Sequence, residues 1–368
     1  MSKRTSCVVL VAALAVSLVG CNLTSGTNNQ SGNPGGPSAY SHVYIAGATG
    51  TSNTSLTPCY WKDSAWYSLP MGTGNSVGGA WGLAVDGAGN LYFVGGVGTS
   101  NSAVVPCYWR NGNLNNLPMG TGNSVGIAGG AAFDSSGNLY ITGATGASMS
   151  SLAPCYWKAG TRTPLALGTG NVFGAADGIA IDSTGNLDIS GRVGPSSSSV
   201  SRCYWKGGTI TVLSNSDVSD TFCGGLVLDS SGNVYVTGGT GSSPGTPVYF
   251  LNGSPNSLPM GMGNTSGITN GAFVDSSGNL LFAGWVGSMS AAYWKNGSLT
   301  TLSQAQAGAG EEGYGITVDS LGNVYIVGAS QTSGNPDVPG YWKNGTGSVL
   351  PMGTGNSSGM ALAVVMGP

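Results

Sequence analysis

DSSGNLYITGATG, residues 134–146, is the stretch on which the fold of this chain turns. Its first five residues, Asp134 to Asn138, suit a type I turn in which the acid caps the first position and the glycine takes the left-handed conformation. The residues that follow have the composition and spacing of a strand. Nearly the same string recurs as DGAGNLYFVGGVG from Asp86, DSSGNVYVTGGTG from Asp229 and DSLGNVYIVGAS from Asp319. A hairpin repeated so regularly predicts a repeat architecture, and its Asp is expected to be structural. A calcium loop would need several oxygen ligands from alternating positions, whereas each turn brings one carboxylate.

Outward from the hairpin, an aromatic after a Tyr marks the period: Trp61, Trp109, Trp157, Trp205, Phe250, Trp294 and Trp342, at intervals of 44 to 48 residues. The turn acids Asp86, Asp134, Asp182, Asp229, Asp275 and Asp319 keep step with them. Seven aromatics against six acids mean that one unit is split. The repeats begin midway through a unit at HVYIAGATG, from His42, and Ala363 to Met366 align with the GLAV that precedes Asp86. The two terminal pieces therefore complete one another.

Each unit holds four strand-like segments. In the second they are GLAVD ending at Asp86 (strand A), NLYFVGG from Asn90 (B), VPCYWR ending at Arg110 (C) and LNNLPM from Leu114 (D). The C to D connection is Asn-Gly at Asn111, Asn252, Asn296 and Asn344, the strongest short signal for a hairpin. Four antiparallel strands in a unit of this length predict an all-β, seven-bladed β-propeller over residues 41–368, one blade being closed by the N- and C-terminal strands. A solenoid would need polar capping repeats at its ends, and the ends here make one repeat between them.

The phrase Asp-Ser-Ser-Gly-Asn-Val-Tyr-Val-Thr-Gly resembles the bacterial seven-bladed β-propeller repeat family and, more distantly, NHL-type repeats. That resemblance covers strands A and B of six units and implies the fold. The Pro-Cys-Tyr-Trp-Lys-Asn-Gly half departs from it and is closer to repeats of uncharacterised bacterial surface lipoproteins. Neither likeness implies an activity.

Ahead of the repeats, MSKR and the apolar run Val8 to Val19 read as a secretory signal over residues 1–20, too short for a comfortable membrane span. The run ends Leu18-Val19-Gly20-Cys21, which resembles the lipobox of bacterial lipoproteins. The resemblance implies a lipidated Cys21 as the mature N-terminus, attached to the membrane by several acyl chains. Asn22 is not the Asp that favours inner-membrane retention in such proteins, which implies the outer membrane or cell surface. An ordinary secretory signal with a chance Cys is the alternative. Residues 21–40 are polar, Gly-rich and uncharged, as a flexible linker is.

Composition narrows the function. Of 368 residues 66 are Gly and 7% are charged, against about 25% charged in an average soluble domain. Of the 11 Lys and Arg only Lys3 and Arg4 adjoin, and the rest are scattered, with no basic stripe for nucleic acid. His42 is the only His, which removes triad hydrolysis, and no Gly-rich phosphate loop opens a helix. No cofactor or metal site is expected. Cys59, Cys107, Cys155 and Cys203 share one blade position; neighbouring sheets lie about 10 Å apart, too far for disulfides between them, so they read as small buried hydrophobes. Whether Cys203 pairs with Cys223 stays open.

Paired carboxylates are the remaining catalytic material, and outside the turns the acids are Asp63, Asp177, Asp188, Asp217, Asp220, Glu311, Glu312 and Asp337. The residue before strand A varies from unit to unit: Trp81, Gly129, Asp177, Gly224, Asn270, Tyr314 and Leu362. These are expected to ring the channel mouth, each facing the residue after the Gly that ends strand B: Gly96, Ala144, Arg192, Gly239, Trp285, Ala329 and, across the closure, Ala48. A bulge would shift that register. The candidate ligand-binding residues are Trp81, Asp177, Arg192, Asn270, Trp285 and Tyr314, with the acids Asp217, Asp220, Glu311 and Glu312 in adjoining D to A loops.

The sequence thus points to a monomeric, lipid-anchored propeller that binds a glycan or protein at the mouth without catalysis. Alternatives are a glycan-active hydrolase or lyase using the mouth acids, and a scaffold in which the aromatics plug the channel and Asp177 and Arg192 are a structural pair.

Overall fold

The computed structural model describes residues 40–213, 216–217, 225–241 and 245–368. The signal, Cys21 and nearly all of the linker, together with Asp220, Cys223 and Gly224, lie outside the described residues. Those described form no helix and seven antiparallel sheets, six of them four-stranded. Their innermost strands neighbour one another in sequence order around a ring.

Blade 1 is the closure. The C-terminal strand Ser358–Gly367 is innermost, followed outward by His42–Gly50, Leu56–Lys62 and Ala65–Ser68. Blade 2 runs Val77–Val85, Leu91–Gly98, Val104–Arg110 and Asn113–Asn116, and blades 3, 4, 6 and 7 repeat that order. Blade 5 differs in its innermost strand, which the described residues supply as two pieces, Ser216–Asp217 and Leu226–Leu228, both against Val234–Thr240. The seven-bladed propeller with a composite closing blade is as the repeats predict.

Local chemistry explains each hairpin. Asp134 Oδ1 accepts from the Ser136 and Asn138 amides at 3.0 and 2.8 Å, Oδ2 accepts from Asn138 Nδ2, and Gly137 sits at φ 78°. With these partners the turn acid is structural, and they hold its carboxyl below the usual carboxylate range although burial pushes the other way. At the C to D turns Asn111 and Gly112 adopt φ 47° and 84°, the doubly positive pair of a type I′ turn. Asn111 also accepts from the Leu91 amide and donates to Asn90 Oδ1, tying the two hairpins at one end of the blade together.

Between blades the repeated tryptophans are the locks. Trp61, Trp109, Trp157, Trp205, Trp294 and Trp342 are 0–1% exposed. Each donates its indole N–H at 2.7 to 2.8 Å to a carbonyl one blade away, at Pro351, Pro70, Pro118, Ala166, Pro259 and Ser303 respectively. The cysteines two positions earlier are fully buried, and burial pushes the thiols of Cys59 and Cys155 up to about 12. They are packing groups, as their spacing predicts.

Candidate functional site

Strand A is longer than GLAVD. In blade 2 it begins at Val77, and Gly79, not Trp81, faces Gly96. The same correction holds in the other complete blades: Ile127 faces Ala144, Ala175 faces Arg192, Ile268 faces Trp285, Glu312 faces Ala329 and Met360 faces Ala48. The reason is a break in the ladder at each variable position among the described residues. Trp81 lies between the paired residues Ala80 and Gly82, Asn270 between Thr269 and Gly271, Tyr314 between Gly313 and Gly315, and Asp177 in the break between Ala176 and Ile179. A bulged residue has no ladder partner and its side chain is re-aimed, so the residues that vary between blades are the ones released from the ladder.

These residues converge beneath the axial end. Trp81, Tyr314 and Leu362 share one apolar cluster with Ile127, Phe173, Ala175, Ala329 and Met360. That cluster draws on blades 1, 2, 3, 4 and 7, and only the axis is common to all five. Asn270 is fully buried; its Nδ2 donates to the Gly313 carbonyl at 3.1 Å, beside the neighbouring blade's bulge, while its Oδ1 has no partner among the described residues. Trp285 is also buried, on the second strand of the same blade.

Asp177 and Arg192 pair as their types predict, with Nη1 and Oδ2 3.4 Å apart. They are 1% and 6% exposed. Burial pushes the Asp177 carboxyl up, and the Arg192 and Arg202 charges pull it partly back. Arg202, cross-strand from Arg192, escapes the motif reading. The signal for it lies in strand C, where five blades carry Pro58, Pro106, Pro154, Pro247 and Pro339 before the Cys or its equivalent and blade 4 carries Arg202.

Three acids move relative to the expectation, Asp217 among them, which pairs with Gly239 in a strand piece of blade 5. Glu311 and Glu312 belong to strand A of blade 7, Gly310–Val318, rather than to a loop. Glu311 Oε1 accepts from the Ala305 and Gln306 amides at 2.7 and 2.9 Å and from Ser330 Oγ at 3.0 Å, so it anchors the preceding loop. Glu312 is buried beside Ala329.

The Trp81 side is apolar and open. A Cβ on Gly79 would stand 2.6 Å from Trp81 Nε1, and one on Gly96 3.1 Å from the ring, so this glycine pair is the bed on which the indole lies. Beside it is a cavity of about 50 Å³ lined by Trp81, Val104, Met149, Met360 and Leu362, with Asn53 and Asn101 from the B to C loops. Met149, Asn53 and Asn101 share one column of the B to C loops, where GTSN stands at 50–53 and 98–101 and GASM at 146–149; a reading that takes its columns from strands and turns passes over it. The Trp81 N–H donates no hydrogen bond to the described residues, in contrast to the six interblade tryptophans.

Residues 306–334, the unit that opens blade 7, match the family model for the Beta-propeller repeat. No curated protein sequence matches the chain. Among solved structures, a protein of unknown function from Dyadobacter fermentans is 8% identical over 84% of this chain and 99% of its own, with a TM-score of 0.50. A putative 6-phosphogluconolactonase from Bacteroides fragilis is 12% identical over 90% and 99%, TM-score 0.46. A gluconolactonase from Xanthomonas campestris is 15% identical over 78% and 94%, TM-score 0.42. At such identities the likeness is one of fold alone.

Proposed function

We propose that this β-propeller repeat protein is an exported, lipid-anchored module of the outer membrane or cell surface that binds a glycan or protein ligand at the axial end of its ring, without catalysis. The observation that carries the reading is where the blades differ. Their turns, interblade tryptophans and cysteines repeat almost unchanged, while Trp81, Asp177, Asn270, Tyr314 and the strand B residues Arg192 and Trp285 each occur once in their column; Trp81 and Tyr314 share one cluster, Asp177 pairs with Arg192, and Asn270 bonds to the Gly313 carbonyl. Aromatic faces beside a few fixed polar groups suit a sugar or peptide. The address rests on the lipobox at Cys21.

An acid–base reading would use Asp177 or the acids Asp217, Asp220, Glu311 and Glu312; the Asp177 carboxyl is buried and paired with Arg192. Glycan-array binding by the full-length protein, beside folded Trp81→Ala and Trp285→Ala variants, tests the proposal. Binding lost in the variants supports it. A folded protein that retains no glycan and no envelope protein would sink it, and product released from a polysaccharide by wild type but not by Asp177→Asn would replace it with the enzyme. For the anchor, Cys21→Ser should move the protein from the membrane fraction to the soluble one.

A further inference from the structure

Resting on that reading, we infer that the cavity beside Trp81 is a subsite for the acetamido group of an N-acetylhexosamine. Three features of the pocket point to that chemistry. Its walls, Val104, Met149, Met360 and Leu362, are aliphatic or thioether groups. Its volume of about 50 Å³ is several times the ~10–15 Å³ needed by one water and far below the ~300 Å³ of a pocket that encloses a whole small molecule. It therefore takes one small apolar group at the end of a larger ligand, and a methyl fits that description.

The third feature is the pair of polar residues, Trp81 and Asn101, in its lining. Trp81 Nε1–H is a donor without a protein acceptor among the described residues, whereas every interblade tryptophan is satisfied at 2.7 to 2.8 Å. A buried indole N–H normally finds a partner, and a donor left over at an opening is one that a ligand can use. Asn101 Nδ2 is committed to the Thr54 carbonyl at 3.0 Å, which leaves Oδ1 as an acceptor. Asn53 is spent within the protein, donating to Asp337 Oδ2 and accepting from Ser358.

One donor, one acceptor and an apolar recess are the complement of an amide that ends in a methyl. The acetamido carbonyl accepts from Trp81, its N–H donates to Asn101, and the methyl enters the recess. A plain hydroxyl-bearing hexose has no group to fill the recess, and a free ammonium would meet the indole N–H as a second donor. Specificity comes from leaving those groups unpaired with the wrong sugar.

Calorimetric titration of the full-length protein with tetra-N-acetylchitotetraose and with its fully de-N-acetylated tetramer tests the assignment. The acetylated oligomer should bind at least about tenfold more tightly, one hydrogen bond plus a buried methyl being enough for that ratio. Trp81→Phe, which keeps the ring and removes the N–H, should weaken it about five- to tenfold with an unchanged melting temperature, and Asn101→Ala should weaken it to a similar extent in a protein that is still folded. Equal affinity for the two oligomers, or variants that bind like wild type, would overturn the acetamido subsite and leave glycan binding elsewhere at the mouth intact. Failure to bind either oligomer overturns the subsite as well; the broader reading falls only if the glycan array is also blank.

Discussion

Trp109 reaches back across a blade boundary: its Nε1 donates to the Pro70 carbonyl at 2.7 Å, and the ring is fully buried. The same bond recurs at five other boundaries, so six of the seven boundaries hold a hydrogen bond inside a large hydrophobic contact; at the remaining one Phe250 has no side-chain N–H to give. Trp109→Phe keeps most of the packing and strands the Pro70 carbonyl, which should cost about 1–3 kcal/mol. Trp109→Ala adds a cavity and should cost about 3–5 kcal/mol. Urea denaturation of the two variants reads the difference, and equal losses would mean that the hydrogen bond contributes nothing.

Arg192 is the countercharge that Asp177 keeps beneath the surface. Arg192→Met should destabilise the protein by about 3–5 kcal/mol at neutral pH, because it leaves a buried carboxylate with less compensation. Asp177→Asn combined with Arg192→Met should recover a large part of that loss. A double variant no more stable than Arg192→Met alone would show that the two side chains do not act as a pair.

Asp188 occupies the column that holds Tyr92, Tyr140, Tyr235 and Tyr325, whose hydroxyls donate to the turn acid of their own blade at 2.9 to 3.3 Å. In blade 4 that bond is missing, and the Asp188 carboxyl is 1% exposed with no hydrogen bond to either oxygen. Burial pushes it up to about 6, with Lys206 pulling down and Asp182 pushing further up. The folded state therefore holds this proton more tightly than the unfolded one, whose carboxyl titrates near 3.9. Stability from this group is full below about pH 4 and is lost as pH rises to about 6. Wild type should lose stability relative to Asp188→Asn across that window, and Asp188→Tyr should be more stable than wild type at pH 7. A pH-independent difference from Asp188→Asn would refute the titration.

The blade cysteines make a simpler prediction. Cys59, Cys107, Cys155 and Cys203 are buried, and burial raises all four thiols, so little thiolate forms at neutral pH. Peptide-mapped alkylation of the native protein should leave them unmodified and label them fully in urea. Rapid native labelling of any of the four would mean that its blade boundary opens.

The ring is legible in the sequence because its determinants are local and repeated: a turn acid such as Asp134 and a hairpin pair such as Asn111-Gly112 need no distant partner to be recognised. The mouth is less legible for two physical reasons. The stretches before the turns, such as VGGAWG from Val77 and VGIAGG from Val125, are buried on both faces, so they lack the polar alternation that marks a strand's start. A bulge then inserts one residue that alternation cannot locate, which is why Trp81 was paired with Gly96 instead of lying over it. Asp177 and Arg192 come from the same count across the hairpin, which the bulge shifts so that Ala175 faces Arg192; the two still meet, because opposite charges tolerate a register error that neutral pairs do not.

The composite closing blade also makes the order of synthesis matter. His42–Gly50 leaves the ribosome among the first strands of the propeller, yet its inner neighbour, Ser358–Gly367, is the last. Until then that strand keeps a raw edge, with a row of unpaired amides and carbonyls open to any extended chain nearby. The ring thus acts as its own proofreader: a product cut short by even its last ten residues has every other blade and still cannot close. It stays a sticky, open arc that differs from the finished protein in solubility and protease resistance far more than in length.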